Sequence, residues 1–338
     1  MPPLTHRVSP LRPLFPILMA GAIAGIICIT DALSLSALLF SGILAPYVGI
    51  ASTLALLTTL IGGIIVSLWS SRPGSILTVQ DVPTVMLTLT IGTSLKRLYV
   101  ETNAAPELLM VLTTTIAMIA LCTLLNGGML YALGHFKLGN LMRYIPYPVV
   151  GGFLAGTGWL LCVGAMLMMT GLDDATQWRA WVQPDALMQW VPGVLFAIVL
   201  FQVLNRFTYF WLAPMVMFGA IALFYIILAL FGISLDVARS HGLVFAFFSP
   251  QTTETSLTLA SFTHIRWSLI VRHIGDLIAI SVMSILSFLF NLSGIETTTP
   301  QEFDLNRELR VTGTANLASG LSGGMIGFHG VGVTALSG

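Results

Sequence analysis

The sequence predicts an all-α integral membrane protein, and three observations carry that reading. Of 338 residues, 56% are hydrophobic and 8% charged, against about 25% charged in an ordinary soluble domain. Mean hydropathy is +0.92, and a chain this apolar is tolerated where lipid replaces water. Apolar runs near the ~20 residues needed to cross a hydrocarbon core recur nearly ten times, broken by short polar or Pro/Gly-marked stretches.

Taken in order, the first run extends from Leu14 to Phe40. It is too long for a signal peptide and lacks a small-residue cleavage site, so it reads as a retained span. Val48 to Trp69 is the second span, Ser75 to Thr93 a shorter interrupted one, Pro106 to Leu133 the fourth and Val149 to Thr170 the fifth. Val191 to Leu204, Phe210 to Phe231 and Leu269 to Leu292 follow, with a connection from Ile233 to Arg272 expected to be partly folded on the surface. Residues 311–338 are rich in Gly, Ser, Thr and Ala and read as one short helix and the beginning of another. The final "GVGVTALSG" has no polar tail and stops within a helix, which leads us to expect a fragment whose remainder supplies further spans. Basic residues in short loops set orientation. With a cytoplasmic N-terminus, Arg7, Arg12, Arg72, Lys137, Arg143, Arg206, Arg307 and Arg310 face inward and Lys96, Arg97, Arg179, Arg239, Arg266 and Arg272 outward. That mild bias gives a multi-pass cell-membrane protein with its N-terminus inside.

Fourteen basic and fourteen acidic residues leave no net charge, which excludes a basic nucleic-acid-binding surface. Cys28, Cys122 and Cys162 sit inside apolar runs without metal-ligand spacing and read as small buried hydrophobes. No nucleophile–base pair stands out, so the chain is not read as an enzyme and no cofactor is implied.

Two interrupted segments carry the functional signal. In "SSRPGSILTVQDVPTVMLTL" a polar turn passes through a β-branched extended run into a helix, with Asp81 as cap and Pro83 in the first turn. Only about twelve residues separate Pro83 from Lys96, which predicts a helix of half the membrane thickness beginning near the midplane. The second, "GGMIGFHGVGVT" (323–334), is again an extended stretch leading into an apolar helix. Paired discontinuous segments mark the central site of many transporters. Helix N-termini carry unpaired N–H groups and about half a positive charge, so two of them meeting make an anion site without a lysine or arginine. The plainer reading is that the glycines only permit close helix packing.

At these segments the sequence resembles the SulP, or sulfate permease-like, family of anion transporters. "SSRPGSILTVQDVPTVMLTL" is similar to that family's strand-then-helix third span and "RYIPYPVVGGFLAGTGWLL" to its fifth. "DLNRELRVTGTANLASGLSGG" resembles its NREL signature, and "GFHGVGVT" occupies the start of its tenth span. The resemblance implies two inverted seven-span repeats with half-helices 3 and 10, the chain stopping at the start of span 10. It divides the chain into core-domain spans 1 to 4 (1–140), gate-domain spans 5 to 7 (141–232), an extracellular connection (233–268) and incomplete core spans 8 to 10 (269–338). It further implies elevator-type secondary transport of a small anion such as sulfate or bicarbonate, homodimers, and often a cytoplasmic STAS domain after the last span. Thr78-Val79 departs from the Gly-Pro that many members carry before the third helix, which leaves the substrate open.

On this resemblance Gln80, Asp81 and Val82 at the third-span start, and His329, Gly330, Val331 and Gly332 at the tenth, are the substrate-binding candidates. Asn291 in the eighth span joins them, one turn from Ser287 and two from Ser284. Asp31, Asp81, His329 and Ser287 are candidates for a coupling H+ or Na+. Asp31 lies mid-way along the first span, where a bare carboxylate costs about 2.5–3.5 kcal/mol and so must face the protein or a cavity. Each has a plainer role: Asp81 as a cap alone, His329 as a satisfied interior histidine. Asp304, Asn306, Arg307 and Glu308 read as a structural cap and ion pair at a cytoplasmic helix start. Two other functions fit the class: a nucleobase transporter of the same fold, against which the NREL and IPYP motifs speak, and a non-transporting membrane sensor or scaffold.

Overall fold

The computed structural model describes residues 14–72, 74–102, 107–139, 147–170, 178–207, 209, 212–240, 243–244, 263–298 and 304–330. The described residues are almost wholly helical. Helix α1 (Leu14–Leu39) ends at Ser41-Gly42, a 3-10 turn (Gly42–Tyr47) absorbs Pro46, and α2 (Val48–Trp69) follows. Gly42 takes φ +63°, a left-handed conformation that glycine adopts without strain. Strand β1 (Leu77–Val79), α3 (Asp81–Thr102), α4 (Leu108–His135) and α5 (Tyr147–Thr170) come next. Then come the short α6 (Trp178–Trp181), α7 (Pro184–Arg206), α8 (Leu212–Leu230) and the short α9 (Leu235–Ser240). The described chain ends with α10 (Trp267–Arg272), α11 (Ile274–Thr298), α12 (Leu305–Leu321) and strand β2 (Gly327–His329). Among the described residues, six helical stretches are long and apolar enough to span a membrane: Leu18–Leu39, Gly42–Trp69, Leu108–His135, Gly151–Thr170, Ala186–Arg206 and Ile274–Ser293.

Three boundaries differ from the sequence expectation. Helix α3 does not stop near Lys96 but runs 22 residues to Thr102, about 33 Å at 1.5 Å per residue. The half-length helix is therefore not what forms: Lys96 and Arg97 are good helix formers, and no Gly or Pro intervenes between Gly92 and Pro106. The eighth apolar run begins as a separate turn, α10, broken from α11 at His273, whose imidazole Nδ1 sits 2.7 Å from Asp276 Oδ2. Helix α12 starts at Leu305, earlier than residue 311, because Asp304 caps it by accepting from the Arg307 N–H at 3.1 Å.

Helices α1–α4, α11 and α12 pack around the two strands, while α5 contacts α7, α3 and α1, and α8 contacts α7 and α1. The tightest pairing is α4 against α12. A Cβ on Gly313 would stand 2.5 Å from the Tyr131 backbone nitrogen and one on Gly127 2.7 Å from that of Leu317. Only glycine lets the two backbones approach this closely. Ser36 and Ser52 join α1 to α2 by a buried hydroxyl contact of 2.9 Å. The core centres on Phe40, Leu112, Ile119, Leu277, Phe288 and Phe328.

Candidate functional site

The two interrupted segments meet. Strand β1 pairs antiparallel with β2, with Leu77 opposite His329, Thr78 opposite Phe328 and Val79 opposite Gly327. The Gln80 N–H donates to the Ile326 carbonyl at 3.1 Å and the Gly330 N–H to the Ile76 carbonyl at 3.1 Å, closing the ladder at both ends. Helix α3 begins immediately after this crossing. Both strands are fully buried, and a non-helical backbone inside a membrane protein persists when its polar groups find partners.

Those partners come from three helices and from Gln80, the residue between β1 and α3. Asn316 of α12 clasps Gly327, its Nδ2 donating to the carbonyl at 2.7 Å and its Oδ1 accepting from the N–H at 2.9 Å. Thr58 of α2 accepts from the Met325 N–H at 2.8 Å. Gln80 donates through Nε2 to the Phe328 carbonyl at 2.9 Å and to Thr78 Oγ1 at 3.0 Å. Asn291 of α11 donates to Gln80 Oε1 at 3.4 Å and to the His329 carbonyl at 3.5 Å. Ser287 is buried about one turn before Asn291 on α11.

Asp81 is the first residue of α3, its Oδ1 accepting from the Val82 N–H at 2.8 Å. Asp31, on α1 where that helix packs against α3 and β1, lies within electrostatic reach of Asp81. Two carboxylates thus stand where the sequence placed an anion. Two of the expected donors, the N–H groups of Val82 and Gly330, are already bonded within the protein. Val331 and Gly332 lie outside the described residues.

The His329 side chain faces α12. Its Nε2 is 3.0 Å from Glu308 Oε2 and its Nδ1 3.4 Å from Thr312 Oγ1, while its ring packs beside Phe288. Glu308 accepts from the Ser71 N–H, from Ser71 Oγ at 2.6 Å and from Ser70 Oγ at 3.0 Å. The sequence reading put Glu308 at a cytoplasmic helix start. It does lie in the first turn of α12, fully buried beneath the turn that leaves α2.

Glu308, Thr312 and Asn316 recur every fourth residue, one face of a helix. That polar stripe was readable in the sequence and marks the α12 surface that receives β2. Ser70, Ser71 and Thr58 carried no comparable signal, since lone hydroxyls in apolar helices usually bond their own backbone.

The family model described as the sulfate permease family matches residues 14–337. The vacuolar basic amino acid transporter VSB1 of Saccharomyces cerevisiae is 26% identical over 227 residues, covering 63% of this chain and 21% of that protein. The chain therefore spans about a fifth of the length of this curated relative. In fold the chain is similar to the transmembrane domain of a cyanobacterium bicarbonate transporter, BicA, with a TM-score of 0.67 and 21% identity over 96% of this chain and 77% of that one. These relatives are transporters and not enzymes. The family match runs through the apolar spans, the strand crossing and the NREL segment alike, and the chain belongs to the sulfate permease family.

Proposed function

We propose that this chain is part of a secondary transporter that carries a small charged solute past the β1–β2 crossing. The observation that carries the reading is the crossing itself: two membrane segments, about 250 residues apart in sequence, lose helical structure at one buried place. Beside it stand Asp81 at the start of α3 and Asn291 from α11.

Family membership favours a small anion, sulfate or bicarbonate, held by the positive ends of α3 and the tenth span. Gln80, Asp81, Val82, Asn291 and His329 to Gly332 are then the lining. Asp31 and Asp81 take up H+ or Na+ with the anion, which offsets their repulsion of it, and Ser287 and His329 are the further candidates for that ion. The packing of α1–α4 with α11 and α12 about the strands, with α5 reaching that group through α1 and α3 and α8 through α1, favours a core moving against a gate in elevator fashion. In this reading the fold is a pair of inverted seven-span repeats, the protein is a homodimer in the cell membrane, and its N-terminus is cytoplasmic.

A second substrate reading rests on charge. Two carboxylates beside the crossing, with the Val82 and Gly330 N–H groups already used, suit a solute bearing an ammonium or guanidinium group. The yeast relative is described as a basic amino acid transporter. Full-length protein in liposomes, given labelled sulfate, bicarbonate or arginine under proton and sodium gradients, separates the two. Uptake of either anion supports the first reading, uptake of arginine alone supports the second, and no uptake of any rejects both.

A further inference from the structure

We propose that Glu308 and His329 form a proton-binding site behind the strand crossing, and that the bound proton holds β2 in place. Neither side chain has exposed surface, and Nε2 and Oε2 are 3.0 Å apart. With the extra proton the pair is imidazolium and carboxylate, net neutral. When that proton leaves the imidazole, one negative charge remains in a site without water exposure, which is strongly disfavoured. The hydroxyls of Ser70 and Ser71 and the Ser71 N–H donate to the same carboxylate. Thr312 accommodates both states, because its hydroxyl accepts from a protonated Nδ1 and donates to a bare one.

The neighbouring charged groups are these. Arg72 is buried in the same turn as Ser70 and Ser71, and His329 Nε2 stands 3.0 Å from the Glu308 carboxylate. Asp304, Arg307 and Arg310 lie at the outer end of α12, with Arg307 Nε donating to the Trp69 carbonyl. On α4 the titratable groups are Cys122 and the exposed Tyr131 and His135, while Asp81 follows β1 and Asp31 is on α1. The adjoining part of α11 offers Phe288 and Asn291, both uncharged.

The site reaches the crossing through a single residue. The His329 imidazole is tied to α12, its carbonyl accepts from Asn291, and the next N–H, that of Gly330, closes the ladder on Ile76. Losing the proton loosens that tie, and the end of β2 is released with it. The site stands on geometry alone. Its consequence for transport rests on the reading given above.

The test is hydrogen–deuterium exchange of the segment around 325–330 in full-length protein, corrected for intrinsic exchange, from about pH 5 to about pH 9. Wild-type protection should fall about tenfold or more as pH rises, the factor that one unit of difference in proton affinity produces. Glu308→Gln and His329→Gln should give flat profiles. Asp276→Asn, which alters the separate His273–Asp276 pair, should retain the step. A flat wild-type profile, or a step retained in Glu308→Gln, overturns the proposal; if Glu308→Gln does not fold, His329→Gln carries the same comparison. Uptake of sulfate, bicarbonate and arginine by the same preparations keeps the two readings apart. A wild-type step without any uptake supports the proton site and removes the transport reading, whereas uptake with a flat profile removes the proton site alone.

Discussion

Asn316 shows how much of the crossing depends on single side chains. Its amide meets both backbone groups of Gly327, so Asn316→Ala leaves a buried N–H and a buried carbonyl without that partner. Each orphaned group costs about 1–3 kcal/mol. We expect a clearly lowered thermal midpoint in detergent for Asn316→Ala and an intermediate one for Asn316→Asp, which keeps the acceptor and loses the donor; equal midpoints for the two variants would contradict the clasp. The sequence singled out Gln80, Asp81, Asn291 and His329 because polar groups at membrane depth stand out singly. It did not couple them to partners: Glu308 meets Ser71 across 237 residues and Gln80 meets Phe328 across 248. No local pattern encodes such pairings. The four-residue recurrence of Glu308, Thr312 and Asn316 was the one periodic trace of them.

Among the elements, α4 and α12 form the contact most sensitive to side-chain size. Gly313→Ala places a methyl against the backbone of Tyr131 and forces the helices apart. Overpacking of this kind costs about 1–3 kcal/mol, more where the obstruction is backbone. Gly128→Ala, exposed on α4 with nothing within 4 Å of the added carbon, should gain roughly 0.5–1 kcal/mol from reduced chain entropy. Thermal midpoints of the two variants check the opposite signs. The helices themselves were largely legible, since apolar length dictates a span: the run from Val48 to Trp69 is α2 to the residue. The strand pairing was not, because a three-residue strand has no periodicity of its own and takes its conformation from its partner. The full length of α3 is hidden for a related reason: charged residues mark where lipid ends, and the helix continues past that point to Thr102.

For the molecule as a whole, the packing of six helices around one buried crossing gives the membrane segments a common centre, with Asp31 within electrostatic reach of Asp81. Asp81→Asn removes one of those charges and keeps a side-chain oxygen for the Val82 N–H, so α3 should still start where it does. Its effect on transport is therefore separable from an effect on folding, which circular dichroism of the variant checks. The most direct measurement is gradient-driven uptake of the transported solute by full-length wild type and Asp81→Asn in liposomes. The account predicts that wild type responds to an imposed proton or sodium gradient and that the variant, though folded, loses that response. Uptake by the variant identical to wild type under every gradient would place the transport site away from the β1–β2 crossing and contradict the account.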